Sequence, residues 1–188
     1  MKRGPAAYSG ESRFLHWAIA ALILFGLIPA GLTMVSLGDG PLKNFLYEAH
    51  KSMGMVVFML AVLRVAVRAA QGFPPLPDSL PEWQKIAARS THLALYGLIL
   101  VVPVLGFTGT AMCCAPVNLF WTVPIPISLA GGMERAEVVL AWHKAAVFLM
   151  AAILALHVGA ALWHGFVRRD GVFERMWRGR GRHASTSP

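Results

Sequence analysis

From Ala141 to Arg169 the chain reads AWHKAAVFLMAAILALHVGAALWHGFVRR, an apolar run longer than the ~20 helical residues needed to cross a hydrocarbon core. It carries three histidines. On a straight helix His143 and His157, 14 residues apart, sit ~40° apart in azimuth and ~21 Å apart in height. His164, seven residues further on, stays within ~20° of the same face, close to the charged boundary at Arg168 and Arg169. One imidazole satisfied in a core is ordinary. Three aligned on one intramembrane face are costly, and each becomes a functional candidate.

The rest of the chain agrees with a membrane setting. Hydrophobic residues make up 56% and charged residues 14%, against about 45–50% and about 25% in soluble domains. The net charge of +8 does not point to nucleic acid, because the basic residues flank apolar runs and form no aromatic-studded patch. The two cysteines, Cys113 and Cys114, are too few for a disulfide framework or a Cys-based metal centre. They read as small apolar residues at a loop edge, with an adjacent-cysteine disulfide as the minor option.

Four spans are expected: residues 12–36, 45–70, 86–112 and 138–168, within a membrane domain of residues 1–178. Residues 179–188, including His183, read as a basic, disordered tail. The apolar run Phe14–Val35 exceeds the ~7–15 residues of a signal-peptide core, so it is read as an uncleaved first span. Ser12 is its expected N-cap and Pro29 a kink. The second span begins with His50 and ends with Arg64 and Arg68. Arg64, 14 residues after His50, shares its face, where an inward guanidinium wants an anion; interfacial snorkelling is the other reading, and the favoured one for Arg68. The third span carries His92 near its start, and Gly97, Gly106 and Gly109 leave room for close helix approach or a flat ligand. The connections after spans two and three are Pro-rich, the second being an interfacial aromatic loop around Phe120 and Trp121.

Thirteen of the 17 Lys and Arg residues lie on the side of the two termini, and the other four are Lys43, Lys51, Arg135 and Lys144. The positive-inside rule makes both termini cytoplasmic. His50 and His143 then lie towards the outer surface, and His16, His92, His157 and His164 towards the inner one. Zinc or copper transport would suit imidazole, but the spans hold no Asp or Glu to accompany it, and a proton relay would be expected to use such acids. Bis-histidine haem fits better. Iron takes two axial imidazoles from facing helices, porphyrin takes an apolar slot, and the propionates take arginine or the interface. With both axial positions filled, electron transfer is favoured over direct dioxygen chemistry.

The chain also resembles the bacterial cytochrome b561 family. The likeness is carried by Tyr8-Ser9 with Arg13-Phe14-Leu15-His16-Trp17, His50 with Gly54 and Arg64, and His92-Leu93-Ala94-Leu95-Tyr96. Pro103-Val104-Leu105-Gly106, Trp142-His143, Leu156-His157 and Trp163-His164 complete it. It runs from about Tyr8 to Trp177, and order and spacing make it specific where the single motifs are weak. The resemblance implies an all-α membrane protein, a four-helix transmembrane bundle enclosing two non-covalent b haems, in the bacterial inner membrane. By position, His50 and His143 would hold the outer haem, and His16 and His157 the inner. By depth alone His164 or His92 matches His16 as well as His157 does. His92 and His164 are assigned to the inner haem's surroundings or a quinone site, and Arg64 and Arg68 to haem propionates or a quinone headgroup. The implied partner is ubiquinone, and the implied activity that of a superoxide:ubiquinone oxidoreductase. Membrane lipids are the other expected contact, and the basic tail can meet anionic headgroups. The alternative is an electron-relay anchor fed by a partner dehydrogenase, hydrogenase or soluble cytochrome.

Overall fold

The computed structural model of the chain describes residues 7–178 except 73 and 115; the tail with His183 lies outside the described residues. Four helices long and apolar enough to cross a membrane run over Gly10–Ser36, Pro41–Gln71, Glu82–Cys113 and Gly132–Arg168, and are called spans 1 to 4 below. Each exceeds its expected range, mostly at its polar ends. Span 2, with 31 residues, is ~46 Å long, well over the ~30 Å hydrocarbon core. The apolar pattern marks where lipid begins, while the helices continue into the headgroup layers.

The local punctuation explains these ends. Ser9, not Ser12, caps span 1: its Oγ accepts from the Ser12 amide at 3.2 Å, and Ser12 is instead fully buried. Pro41 opens span 2 directly after Gly40, where a missing N–H costs nothing. Gly72 closes it at φ +72°, a left-handed conformation that a side chain disfavours. The disturbance expected at Pro29 takes the form of a π-helical turn over Leu22–Leu27 just before it. A wider turn absorbs the hydrogen bond that proline cannot make.

The chain is a multi-pass membrane protein with two unlike ends. At the terminus end, Ser9 Oγ donates to Gln71 Oε1 at 2.6 Å, Trp17 Nε1 to the Met176 carbonyl at 3.2 Å, and Arg175 Nη1 to the Pro75 carbonyl at 2.5 Å. A short helix, Glu174–Trp177, thereby covers that end, with Trp177 edge-on to Trp17.

The opposite end carries a structure that composition did not reveal. Strand β1 (Val117–Leu119) pairs antiparallel with β2 (Val123–Ile125) inside the expected aromatic loop. Three-residue strands containing Pro124 leave too little alternation to read. Phe120 and Trp121 at its tip have φ of 47° and 63°, a costly state for bulky residues. The tip is fixed by the Phe120 amide donating to Ser52 Oγ at 2.8 Å and by Trp121 stacking on Phe45 at 4.7 Å. Cys113 and Cys114, for which a disulfide was the minor expectation, are joined as one at this hairpin end.

Packing divides the bundle. Spans 1 and 2 pack together, spans 3 and 4 pack most extensively, and span 2 meets span 3, whereas span 4 scarcely approaches span 1 or span 2. A seam therefore runs along the bundle. At mid-height it is closed by Ile19, Ile23 and Val57, with Leu60, Ile99 and Leu154 against them. This apolar layer separates two groups of histidines.

Candidate functional site

At the hairpin end His50 of span 2 faces His143 of span 4 across the seam, with ring centres 6.3 Å apart and planes at 84°. His143 Nδ1 lies 2.9 Å from the Val102 carbonyl. A carbonyl can only accept, so Nδ1 carries the proton and the Nε2 lone pair is left for another group. The ring is seated by Gly106, where an added Cβ would stand 3.0 Å from it. Gly106 is thus a cradle for an imidazole, while Gly109, packed on Leu140, serves helix approach. His50 Nδ1 is buried without a hydrogen-bond partner. Half-buried Gly54, one turn along from His50, has nothing within 4 Å of a built Cβ, so there is room inside the bundle beside this pair.

The terminus end holds three imidazoles. His16 of span 1 faces His157 of span 4 at 6.2 Å and 84°, and His92 of span 3 lies 5.4 Å from the same His157 at 69°. Two imidazoles bound to one iron through metal–nitrogen bonds of ~2 Å have ring centres ~6 Å apart. His50/His143 and His16/His157 both have that spacing, each across helices whose backbones do not meet. His92 is closer than that to His157 and lies on the helix already packed against span 4. Among the described residues no group of three or more His, Cys, Asp and Glu converges as a metal cage. The arrangement is one of facing pairs, which suits axial ligation of a flat macrocycle.

The arginines behave unlike one another. Arg64 Nη1 donates to the Ser12 carbonyl at 2.6 Å, and its guanidinium lies 5.7 Å from the Tyr96 ring. It faces inward as its register with His50 required, but the partners seen are a carbonyl and an aromatic ring. Arg68 does not snorkel: it is 3% exposed and lies over the Tyr8 ring at 4.7 Å. Neither tyrosine was singled out for this role, because contacts between distant spans leave no trace in local pattern.

His164 stands apart from both groups. Its Nδ1 is 2.6 Å from Asp170 Oδ2, with Arg168 Nε 3.4 Å from the same oxygen and Arg168 Nη1 donating to Gln84 Oε1 at 3.0 Å. A second π-turn, Trp163–Arg168, and left-handed Arg169 at φ 53° bend the chain so that Asp170 returns to His164. Asp170 was missed in the sequence, where a straight helix would carry it away. The nearest available signal was the polar cluster Arg168-Arg169-Asp170 directly after the span.

A four-helix membrane bundle whose seam is bridged by facing imidazoles has the build of a membrane cytochrome b. The chain belongs to the prokaryotic cytochrome b561 family, whose sequence model matches residues 7–179. It is similar to "Cytochrome b561 homolog 2" of Escherichia coli strain K12, 32% identical over 175 residues, 92% of each chain. It is 31% identical over 171 residues to "Cytochrome b562" of Cereibacter sphaeroides, covering 88% of this chain and 92% of that one. A more distant relative, 19% identical over 162 residues, is "Probable superoxide oxidase CybB" of Yersinia pestis, matched over 86% and 90%. Family membership implies haem b and a role in electron transport.

Proposed function

We propose that the chain carries two b haems, one between His50 and His143 and one between His16 and His157, and passes electrons from superoxide at the hairpin end to ubiquinone. The observation that carries the reading is the pair of matched gaps, 6.3 Å and 6.2 Å, both at 84°. The bound haems would supply the one-electron steps; the protein supplies position, proton and charge. Val102 fixes the His143 tautomer, and the Ile19–Ile23–Val57 layer keeps water from between the two sites. The excess of Lys and Arg on the terminus side supports a reading in which both termini face the cytoplasm across a bacterial inner membrane.

Arg64 and Arg68 are the candidate propionate partners by charge, and both are already drawn into the terminus end. His92 packs beside the inner pair, shaping its surroundings. His164 and Asp170 form the candidate quinone site, since quinone reduction takes up two protons with two electrons. With Nδ1 committed to Asp170, Nε2 of His164 is the atom that would hold or hand over a proton. His164→Ala is expected to keep both haems and lose quinone reduction by about 100-fold, the smaller end of general acid–base effects. Quinone turnover unchanged in that variant would remove His164 from the site.

Superoxide as donor is supported by the distant relative of that name and by charge at the rim. Lys43 and Lys51 are held by Asp39 and Glu48, whereas Lys144, directly after His143, is exposed and makes no ion pair among the described residues. The deciding experiment is a redox difference spectrum with haem quantitation on the detergent-purified protein, then addition of a superoxide source with and without a ubiquinone analogue. Two haems per chain, reduced by superoxide and reoxidised by the quinone, are expected. Two haems that superoxide leaves oxidised would point to a partner-fed relay, and absence of haem would overturn the reading.

A further inference from the structure

The disulfide between Cys113 and Cys114 takes no part in the function proposed above. It cannot act as a staple. The stabilisation a disulfide gives by restricting the unfolded chain grows with the loop it closes, and here no residue lies between the cysteines. An adjacent pair with no structural return, at the end of a helix, calls for a chemical explanation.

Its position supplies one. Cys113 is seven residues after Gly106, within ~20° of the same helix face and ~10.5 Å further along the axis. Gly106 is the residue against which the His143 ring is seated, 3.0 Å from a built Cβ. Between them Thr110 donates through Oγ1 to the Gly106 carbonyl at 2.8 Å, and its own carbonyl accepts from the Cys114 amide at 2.8 Å. The disulfide is therefore anchored, two turns away, on the stripe of span 3 that faces the outer imidazole pair. Cys113 Sγ lies 3.8 Å from the Thr110 carbonyl, an acceptor ready for a thiol proton once the bond is open. Cys114 is exposed, so a thiol from solution can reach it, and the hairpin end is the side on which positive-inside topology places the oxidising compartment where disulfides persist.

We propose that Cys113 and Cys114 form a redox-active centre through which this cytochrome oxidises external dithiols. The site takes a small or protein-borne dithiol as substrate. A thiolate of that substrate attacks the Cys114 sulfur, breaking the Cys113–Cys114 bond and forming a mixed disulfide. The second substrate thiol resolves it, leaving an oxidised substrate and two cysteine thiols. Those thiols then re-form their S–S bond, giving two protons to the outer solution and two electrons, one at a time, to the His50/His143 haem and onward to quinone. In sum, one dithiol is oxidised and one quinone reduced. This step rests on the di-haem reading.

The test uses the full-length, haem-loaded protein and the double variant Cys113→Ser/Cys114→Ser. With dithiothreitol as substrate, the α-band of reduced haem should appear about tenfold or more faster in the unaltered protein than in the double variant. Equal rates would overturn the proposal. Independently of turnover, the protein as isolated should take up no maleimide, dithiothreitol should expose two thiols per chain, and a ubiquinone analogue added after reductant removal should close them again. In His143→Ala those two thiols should stay open on quinone addition, although dithiothreitol still exposes them. Two thiols already free as isolated, or closure by quinone in His143→Ala, would equally overturn it. The double variant separates the two readings, because a normal two-haem spectrum there leaves the di-haem assignment standing whatever the thiols do.

Discussion

The two histidine groups solve the same geometric problem with different redundancy. At the hairpin end two imidazoles face each other, and one has its tautomer fixed by the Val102 carbonyl and its ring seated on Gly106. At the terminus end three imidazoles gather, with His157 within reach of both His16 and His92. Among the described residues the hairpin-end pair has no third imidazole beside it. The terminus end has a third imidazole and two arginines in its neighbourhood. Depth along the helices could therefore pair His50 with His143 unambiguously but left His157, His92 and His164 as rivals for His16. The approach of the spans orders them: His16 and His157 stand at the ~6 Å expected of two imidazoles sharing one iron, His92 is nearer to His157 at 5.4 Å, and His164 is bound to Asp170.

The largest effect that would break this comparison is haem loss. His143→Ala and His16→Ala are each expected to lose one of two haems, and His92→Ala to keep both, measured as haem per chain by pyridine haemochrome. Loss of a haem in His92→Ala with retention in His16→Ala would reverse the terminus-end assignment. A smaller effect distinguishes the ends by charge. Arg64→Leu is expected to lower the potential of the terminus-end haem by about 60 mV, the one-electron equivalent of ~1.4 kcal/mol, and to leave the hairpin-end haem unmoved in a spectroscopic redox titration. An unchanged potential would leave Arg64 with its bonds to span 1 and no propionate role. The smallest effect concerns seating. Gly106→Ala would press a methyl group against the His143 ring, and overpacking of that kind costs ~1–3 kcal/mol. Gly159→Ala, at an exposed position of span 4 with nothing within 4 Å of a built Cβ, is expected to be nearly neutral. Thermal unfolding followed in the hairpin-end haem band would show the difference, and equal midpoints would remove Gly106 as a cradle.

Much of the fold was legible because a bilayer simplifies the code. An apolar run of some twenty residues has few alternatives to a spanning helix, and all four appeared with only their polar ends extended. The 14-residue spacings of His143/His157 and His50/Arg64 likewise survived, since helical register is a local property that packing does not alter. What failed depended on which groups the folded chain brings together. Ser12 looked like a cap by type but Ser9 fills that place, because only the true first turn decides which hydroxyl meets an orphan amide. Arg68 looked free to snorkel, yet Tyr8, 60 residues earlier in the chain, gives it an inward seat.

The sequence alone determined four membrane spans, two depths of imidazole and the family, because hydrophobicity, helical period and ordered motifs are all carried along the chain. The tertiary structure decided which imidazole faces which, where Arg64 and Arg68 lodge, that Asp170 returns to His164 through a π-turn, and that Cys113 is anchored in line with the hairpin-end pair. Each of these depends on distances between helices, and helix packing is set by the summed fit of many side chains that no single stretch of sequence contains.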